Sequence, residues 1–119
     1  MRIMFLDDDP GRYKQYRQFI EPDVEIDWAE TVDRAIYFLA TNRYDLISLD
    51  HDLGGQQMVE SGYGTGWEVA KWISEHDVGN PQIHLHTLNP IGAKNMLALL
   101  PNAHIMPFTR IKYEMTRNG

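Results

Sequence analysis

The sequence has no cysteine, so disulfides, zinc–thiolate centres and thiol nucleophiles are excluded from the outset. It has no apolar run approaching the roughly 18–20 residues that cross a bilayer. Its start, MRIMFLDDD, meets three acids after a short apolar stretch and does not read as a signal peptide. Basic residues are few and scattered: 11 Lys and Arg against 17 Asp and Glu give a net charge of −6. Without a basic face, non-specific binding to DNA is not expected. There is no internal repeat and no low-complexity tract. These absences fit a cytoplasmic protein with no membrane partner. They leave room for a small nucleotide or an RNA end held by a few aimed groups.

What is present argues for a folded core. Hydrophobic residues make up 43% of the chain and include three tryptophans. A length of 119 residues suits a single domain, 1–119, and is too short for two. Short apolar runs alternate with helical periodicity. RIMFL (2–6), VEIDWA (24–29), DLISLD (45–50), QIHLHT (82–87) and AHIMPF (103–108) read as strands. Between them, Tyr13, Tyr16 and Ile20, then Val32, Ala35, Ile36 and Leu39, then Trp67, Ala70 and Ile73, recur at helical spacing. PIGAKNMLALL is a fourth helical segment, and TRIKYEMT supplies two last turns. The pattern is (βα)5, an α/β fold with a parallel sheet between helices. GGQQMVESGYGTG (54–66), rich in glycine and polar residues, reads as a mobile loop or lid.

Ligands of such sheets bind beyond the carboxyl ends of the strands. The acids of FLDDD, the DHD of LDHDL and the end of IHLHT should therefore meet at one rim.

Over nearly its whole length the chain resembles the receiver domains of bacterial response regulators. FLDDD matches the paired acids after the first strand, which implies Asp7 and Asp8 as metal-site carboxylates. LISLD matches the strand ending in the phosphoryl-accepting aspartate, here Asp50, and MPFT matches the proline-phenylalanine signature at Pro107 and Phe108. Two departures argue against ordinary phosphoacceptance. The family's lysine is Met106, and its switch threonine or serine falls on His86, with Thr87 one place later. A narrower resemblance is to cyclic-phosphate-processing receiver domains, through LDDDPGR, LDHDLGG and HLHTLNPIGAKNM. It implies Asp7, Asp8, Asp50, His51, Asp52, His84, His86, Asn89 and Asn95 as site residues. The fold implied is a flavodoxin-like three-layer sandwich with a five-stranded parallel sheet in the order 2-1-3-4-5.

Hydrolysis of a cyclic phosphate needs one group to take a proton from water and another to give one to the leaving oxygen. His84 and His86, two apart in a strand, share a face about 6.5–7 Å apart, and histidine titrates near working pH. They are the expected acid/base pair, in either order, with Asp50 and His51 as further catalytic candidates. His51 has the opposite parity to Asp50 and Asp52, so its direction is open. Asp7, Asp8, Asp50 and Asp52 are the candidate metal ligands. Oxygen donors suit Mg2+, and adding imidazole shifts the preference toward Mn2+, Fe or Zn2+. The alternative use of the acids is to orient the histidine rings.

Asp9 before Pro10 reads as an N-cap, and Asn89 before Pro90 as another that could also grip an anion. Arg12, Asn95 and Thr87 complete the expected substrate-binding set, with Lys94 and Arg110 as more distant cations. His104 reads as a core histidine or one backing the site, His76 as a helix end, and Trp67 and Trp72 as core. Tyr63 is the aromatic placed to cover a bound base.

The expected activity is processing of a cyclic phosphate on a nucleotide or RNA end. The rival is a receiver-like module that binds a nucleotide or a partner protein without turnover. The last helix is short for a receiver, so receiver-type pairing does not carry over by default.

Overall fold

The computed structural model of the chain describes residues 1–55 and 57–111. Five strands form one parallel sheet in the order β2-β1-β3-β4-β5: β1 (Arg2–Leu6), β2 (Glu25–Ala29), β3 (Leu46–Leu49), β4 (Gln82–Leu85) and β5 (His104–Ile105). Four helices connect them: α1 (Pro10–Phe19), α2 (Val32–Thr41), α3 (Gly66–Glu75) and α4 (Pro90–Leu99). The expected flavodoxin-like order is the observed one.

Strand alternation sends residues to two cores. Met4, Leu6, Ile47, Leu49 and Leu85 pack with the apolar faces of α2, α3 and α4. Ile3, Phe5 and Leu46 face the other way, toward Tyr16 of α1 and Phe108 and Ile111. Trp67 and Trp72 pack, partly buried, against the first of these cores, as their spacing predicts.

The ends of the elements follow local chemistry. Asp9 caps α1 by accepting from Gly11 N–H at 2.8 Å, and Pro10 occupies the first turn, where no donor is needed. Asp9→Ala is expected to cost about 1 kcal/mol in a denaturant melt; an unchanged midpoint would show that α1 does not depend on this cap. Thr31 caps α2 and Asn89 caps α4. β5 is shorter than its sequence pattern. Met106 N–H still bonds Leu85 O at 2.8 Å, but Pro107 has no donor to continue the ladder, and a helical turn follows over 108–111. The rest of the last helix expected over 109–116 lies outside the described residues.

Two glycines let the helices approach the strand ends. A Cβ on Gly66 would lie 1.7 Å from the Asp50 carbonyl oxygen, and one on Gly92 would lie 2.4 Å from the His51 ring. α3 and α4 therefore begin hard against the end of β3. No helix among the described residues is long and apolar enough to cross a membrane.

Candidate functional site

Three segments, 7–9, 50–52 and 86–89, converge at the carboxyl rim of β1, β3 and β4. They enclose a cavity of ≈ 470 Å3 lined by, among others, Asp8, Arg12, Asp50, Asp52, Met58, His86, Thr87, Leu88 and Phe108.

Asp7 lies beneath this pocket, fully buried, and all its acceptor capacity is directed. Arg12 grips it with both arms of the guanidinium, Nε to Oδ2 at 2.8 Å and Nη2 to Oδ1 at 2.9 Å. His86 Nε2 lies 3.0 Å from Oδ2, and Asp9 N–H donates to Oδ1 at 2.9 Å. Burial alone would raise the Asp7 carboxyl, but the hydrogen bonds from His86 and Arg12 outweigh it and hold the group below its ordinary value. The same Asp7 contact raises the pKa of Arg12.

Asp50 is the opposite case. Its Oδ1 accepts from His51 N–H at 2.9 Å, while among the described residues Oδ2 has only a long 3.5 Å contact to Arg12. Burial pushes its carboxyl up to about 6 from 3.8, and the charge of Asp7 adds to the rise, against the pull of His86 and Arg12. Two neighbouring carboxylates thus carry pKa values driven apart, the arrangement that assigns different proton roles to similar groups.

His86 is nearly buried. Its ring stacks on Phe5 at 4.7 Å, and Phe5 in turn stacks on Tyr16 at 4.2 Å. Nε2 donates to the Asp7 carboxylate, so in the neutral ring Nδ1 accepts from the Ser48 hydroxyl at 2.7 Å. Both nitrogens face protein partners, although His86 is among the residues that line the pocket.

The acid/base partner expected for it is not there. His84 shares the face of His86 but sits one pleat deeper, paired in register with Ser48 and His104. Its ring meets His104 edge-on at 6.4 Å, and its buried Nδ1 has no hydrogen-bond partner among the described residues. Burial, and then the charges of His104 and His86, lower its pKa. It does not line the pocket.

His51 and Asp52 are brought together, for a different purpose. His51 is buried under Gly92, with Nδ1 2.7 Å from Asp52 Oδ1 and Nε2 2.8 Å from Ser61 Oγ. Asn95 donates to the same Ser61 oxygen at 2.9 Å. Asn89 donates to Asp52 Oδ1 and to Val59 O, both at 3.1 Å. Asp52 Oδ2 accepts from Met58 N–H at 2.7 Å. Burial opposes ionisation of Asp52, but these hydrogen bonds, that of His51 first, bring its pKa below the ordinary value. The network fastens the 54–66 segment to α4. Its connectivity is that of an acid–base–nucleophile relay, yet neither His51 nor Ser61 lines the pocket. Asp52 does, but its carboxylate is committed to the loop rather than to an ion.

Asp8 is tied to the same loop, accepting from Gly55 N–H at 2.6 Å. Thr87 Oγ1 accepts from Asn89 N–H at 3.0 Å and lines the pocket. Asn89 Oδ1 is spent on Gly92 N–H, so its carbonyl serves the helix. Lys94, Arg110 and Tyr63 are exposed and stand outside the lining, Tyr63 at 90% relative exposure. The sequence reading missed Ser48 and Ser61. Ser48 carried a signal, a hydroxyl in the middle of the otherwise apolar LISL strand.

A family model described as "Cyclic-phosphate processing Receiver domain" matches residues 2–102. The chain belongs to that family. No curated protein matches it. The receiver fold is shared with solved structures of low identity. The phosphorylated cyanobacterial phytochrome response regulator RcpA has 15% identity and a TM-score of 0.74, over 98% of this chain and 89% of its own. The Mn2+-bound form of response regulator Rcp1 has 17% identity and a TM-score of 0.72, over 98% and 89%. TrrA from Thermotoga maritima, in complex with Mg2+-BeF, has 24% identity and a TM-score of 0.66, over 98% and 96%.

In this receiver domain Met106 packs partly buried against the α1-side core and brings no ammonium to the rim. Oxygens of Asp7 and Asp50 and a ring nitrogen of His86 lie within 4.8 Å of one another, so the cluster could hold a metal ion. Two hard oxygens and one imidazole are a sound donor set for a divalent cation. The guanidinium of Arg12 already holds the Asp7 oxygens.

Proposed function

We propose that the domain hydrolyses a cyclic phosphate on a nucleotide or an RNA end, with Asp50 as the proton-transfer group. One observation carries this reading: the buried Asp50 carboxyl, its Oδ2 held only by a long contact to Arg12, lines the same pocket as that guanidinium. Guanidinium is planar and permanently charged, and its fork matches a phosphate. Arg12 turns Nη1, the nitrogen it does not give to Asp7, toward the phosphoryl oxygens. Asp50, largely ionised at neutral pH, takes a proton from water as the water oxygen bonds to phosphorus. The neutral acid then returns that proton to the ribose oxygen as its bond to phosphorus breaks, leaving a phosphomonoester. His86 holds Asp7 anionic and in place, and burial, with the Asp7 charge adding to it, keeps the pKa of Asp50 high. Were a Mg2+ or Mn2+ ion to take the place of the Arg12 contact, Asp7, Asp50 and His86 would hold it, and it would supply Lewis-acid polarisation of the phosphate. The partner proposed for this pocket is a nucleotide or RNA-end phosphate.

The test is turnover of a panel of 2′,3′- and 3′,5′-cyclic nucleotides. His86→Ala is expected to lower kcat/KM by about a hundredfold or more. The wild-type kcat/KM should rise with pH through about 6 and flatten above it, as Asp50 loses its proton. Absence of product from every cyclic nucleotide would end the hydrolase reading.

A second reading, binding without turnover, is favoured by the mutual satisfaction of Asp7, Arg12 and both His86 nitrogens. It predicts calorimetric affinity for a nucleotide with no product formed.

A further inference from the structure

Arg12 stands where helix electrostatics disfavour it. The first turn of α1 exposes the positive end of the helix dipole, which favours acids and repels cations. The sequence nevertheless places an arginine there, directly after the cap and proline. The compensation is the surrounding carboxylates. Arg12 Nη2 lies 2.9 Å from Asp7 Oδ1, 3.5 Å from Asp50 Oδ2 and 3.7 Å from Asp8 Oδ1. One nitrogen atom thus sits among three carboxylates, two of which, Asp7 and Asp50, belong with His86 to the cluster that could hold an ion.

We infer that Arg12 Nη2 and a divalent cation are alternative occupants of one position, with Arg12 the resident. Bonds from an ion to carboxylate oxygens run about 2.0–2.6 Å. An ion bonded to Asp7 Oδ1 on the side facing Asp50 would crowd a nitrogen held 2.9 Å from that same oxygen. The two charges would also repel each other, by about 1 kcal/mol even in bulk water at 4 Å. The exchange has a route, because the Arg12 side chain is 37% exposed while Asp7 is fully buried. The arm can swing outward over the rim; Asp7 has nowhere to go. The inference does not depend on turnover, since it concerns which cation the acids hold.

The test is Mn2+ affinity of the full chain, read from the electron paramagnetic resonance of free Mn2+ at neutral pH. Arg12→Gln is expected to bind Mn2+ at least about tenfold more tightly than wild type. Adding Asp50→Asn to that variant should remove the gain. Arg12→Lys keeps a cation in place and should stay near wild type. Unchanged or weaker binding in Arg12→Gln overturns the inference. So does a gain that survives Asp50→Asn, or one that Arg12→Lys shows equally. The wild-type protein gives a measurement that needs no variant to fold. As Mg2+ shifts the amide signal of His51, which bonds Asp50, the Arg12 Nε–H signal should move and exchange faster with water. An Arg12 signal unmoved by Mg2+ that shifts the His51 amide overturns it too. Metal affinity and product formation are separate readouts, so this inference and the hydrolase reading fail independently.

Discussion

Asp50→Asn is expected to abolish measurable turnover, a loss of about a thousandfold or more, while making the folded protein more stable at neutral pH. The two effects share one cause. Burial pushes the Asp50 carboxyl up to about 6 from 3.8, so the folded protein holds this proton more tightly than the unfolded chain does. A group whose folded pKa is raised contributes its stability below the unfolded value. That contribution is lost as pH climbs from about 4 through about 6. At neutral pH the buried anion is therefore a burden on the fold. A shift of this size corresponds to on the order of 2–3 kcal/mol. Asparagine has the same shape and no proton to lose. The melting advantage of Asp50→Asn should be large at neutral pH and vanish near pH 4. Asp7 complicates the absolute profile, because its pKa is lowered and its stabilising effect fades as pH falls. Asp7, held below its ordinary value, stays largely ionised where Asp50 titrates, so the comparison of variant and wild type is read in that range. A variant that melts below wild type at neutral pH would show that Asp50 is held as an anion. The account of its raised pKa, and of its part in catalysis, would fall with it.

The path from sequence to site shows where pattern reading succeeds. RIMFL reads as a strand because a short apolar run ends in acids and a proline, and β1 occupies those residues. Asp-Pro and Asn-Pro announce caps because proline tolerates the first helical turn, and both caps form. Convergence of the acids and His86 follows from parallel strands ending at one rim. Depth is what the pattern does not encode. Residues two apart share a face, and His84 and His86 do, but a face runs the length of the strand. One pleat of about 6.5–7 Å separates a residue on the pocket from one beside His104. Parity likewise left the direction of His51 open, because its loop placement is decided by Asp52, Ser61 and the glycine of α4. The Arg12 fork on Asp7 joins a strand end to the first turn of the next helix, a contact outside any periodicity. Its one sequence signal is a cation at the wrong end of a helix.

The largest effect on the fold itself is expected from Gly66→Ala. The added Cβ would stand 1.7 Å from the Asp50 carbonyl oxygen, 2.8 Å from its carbon and 3.0 Å from His51 Cα. All three are backbone atoms at the end of a buried strand, so no side chain can rotate aside. Either α3 withdraws or the end of β3 bends. Withdrawal breaks the 2.8 Å bond from Gly66 N–H to His51 O and unpacks Val69, Ala70 and Ile73 from the core. Bending moves Asp50, the residue on which the proposed chemistry depends. A backbone overlap of this depth is expected to cost about 4 kcal/mol or more, a large part of the roughly 5–15 kcal/mol that keeps a domain folded. Gly62→Ala is the matched control, since a Cβ there meets nothing within 4 Å. It should change stability by no more than about 0.5 kcal/mol. Paired urea melts decide the point. Should Gly66→Ala melt with Gly62→Ala, α3 does not press on the end of β3, and the placement of Asp50 at the rim would have to be redrawn.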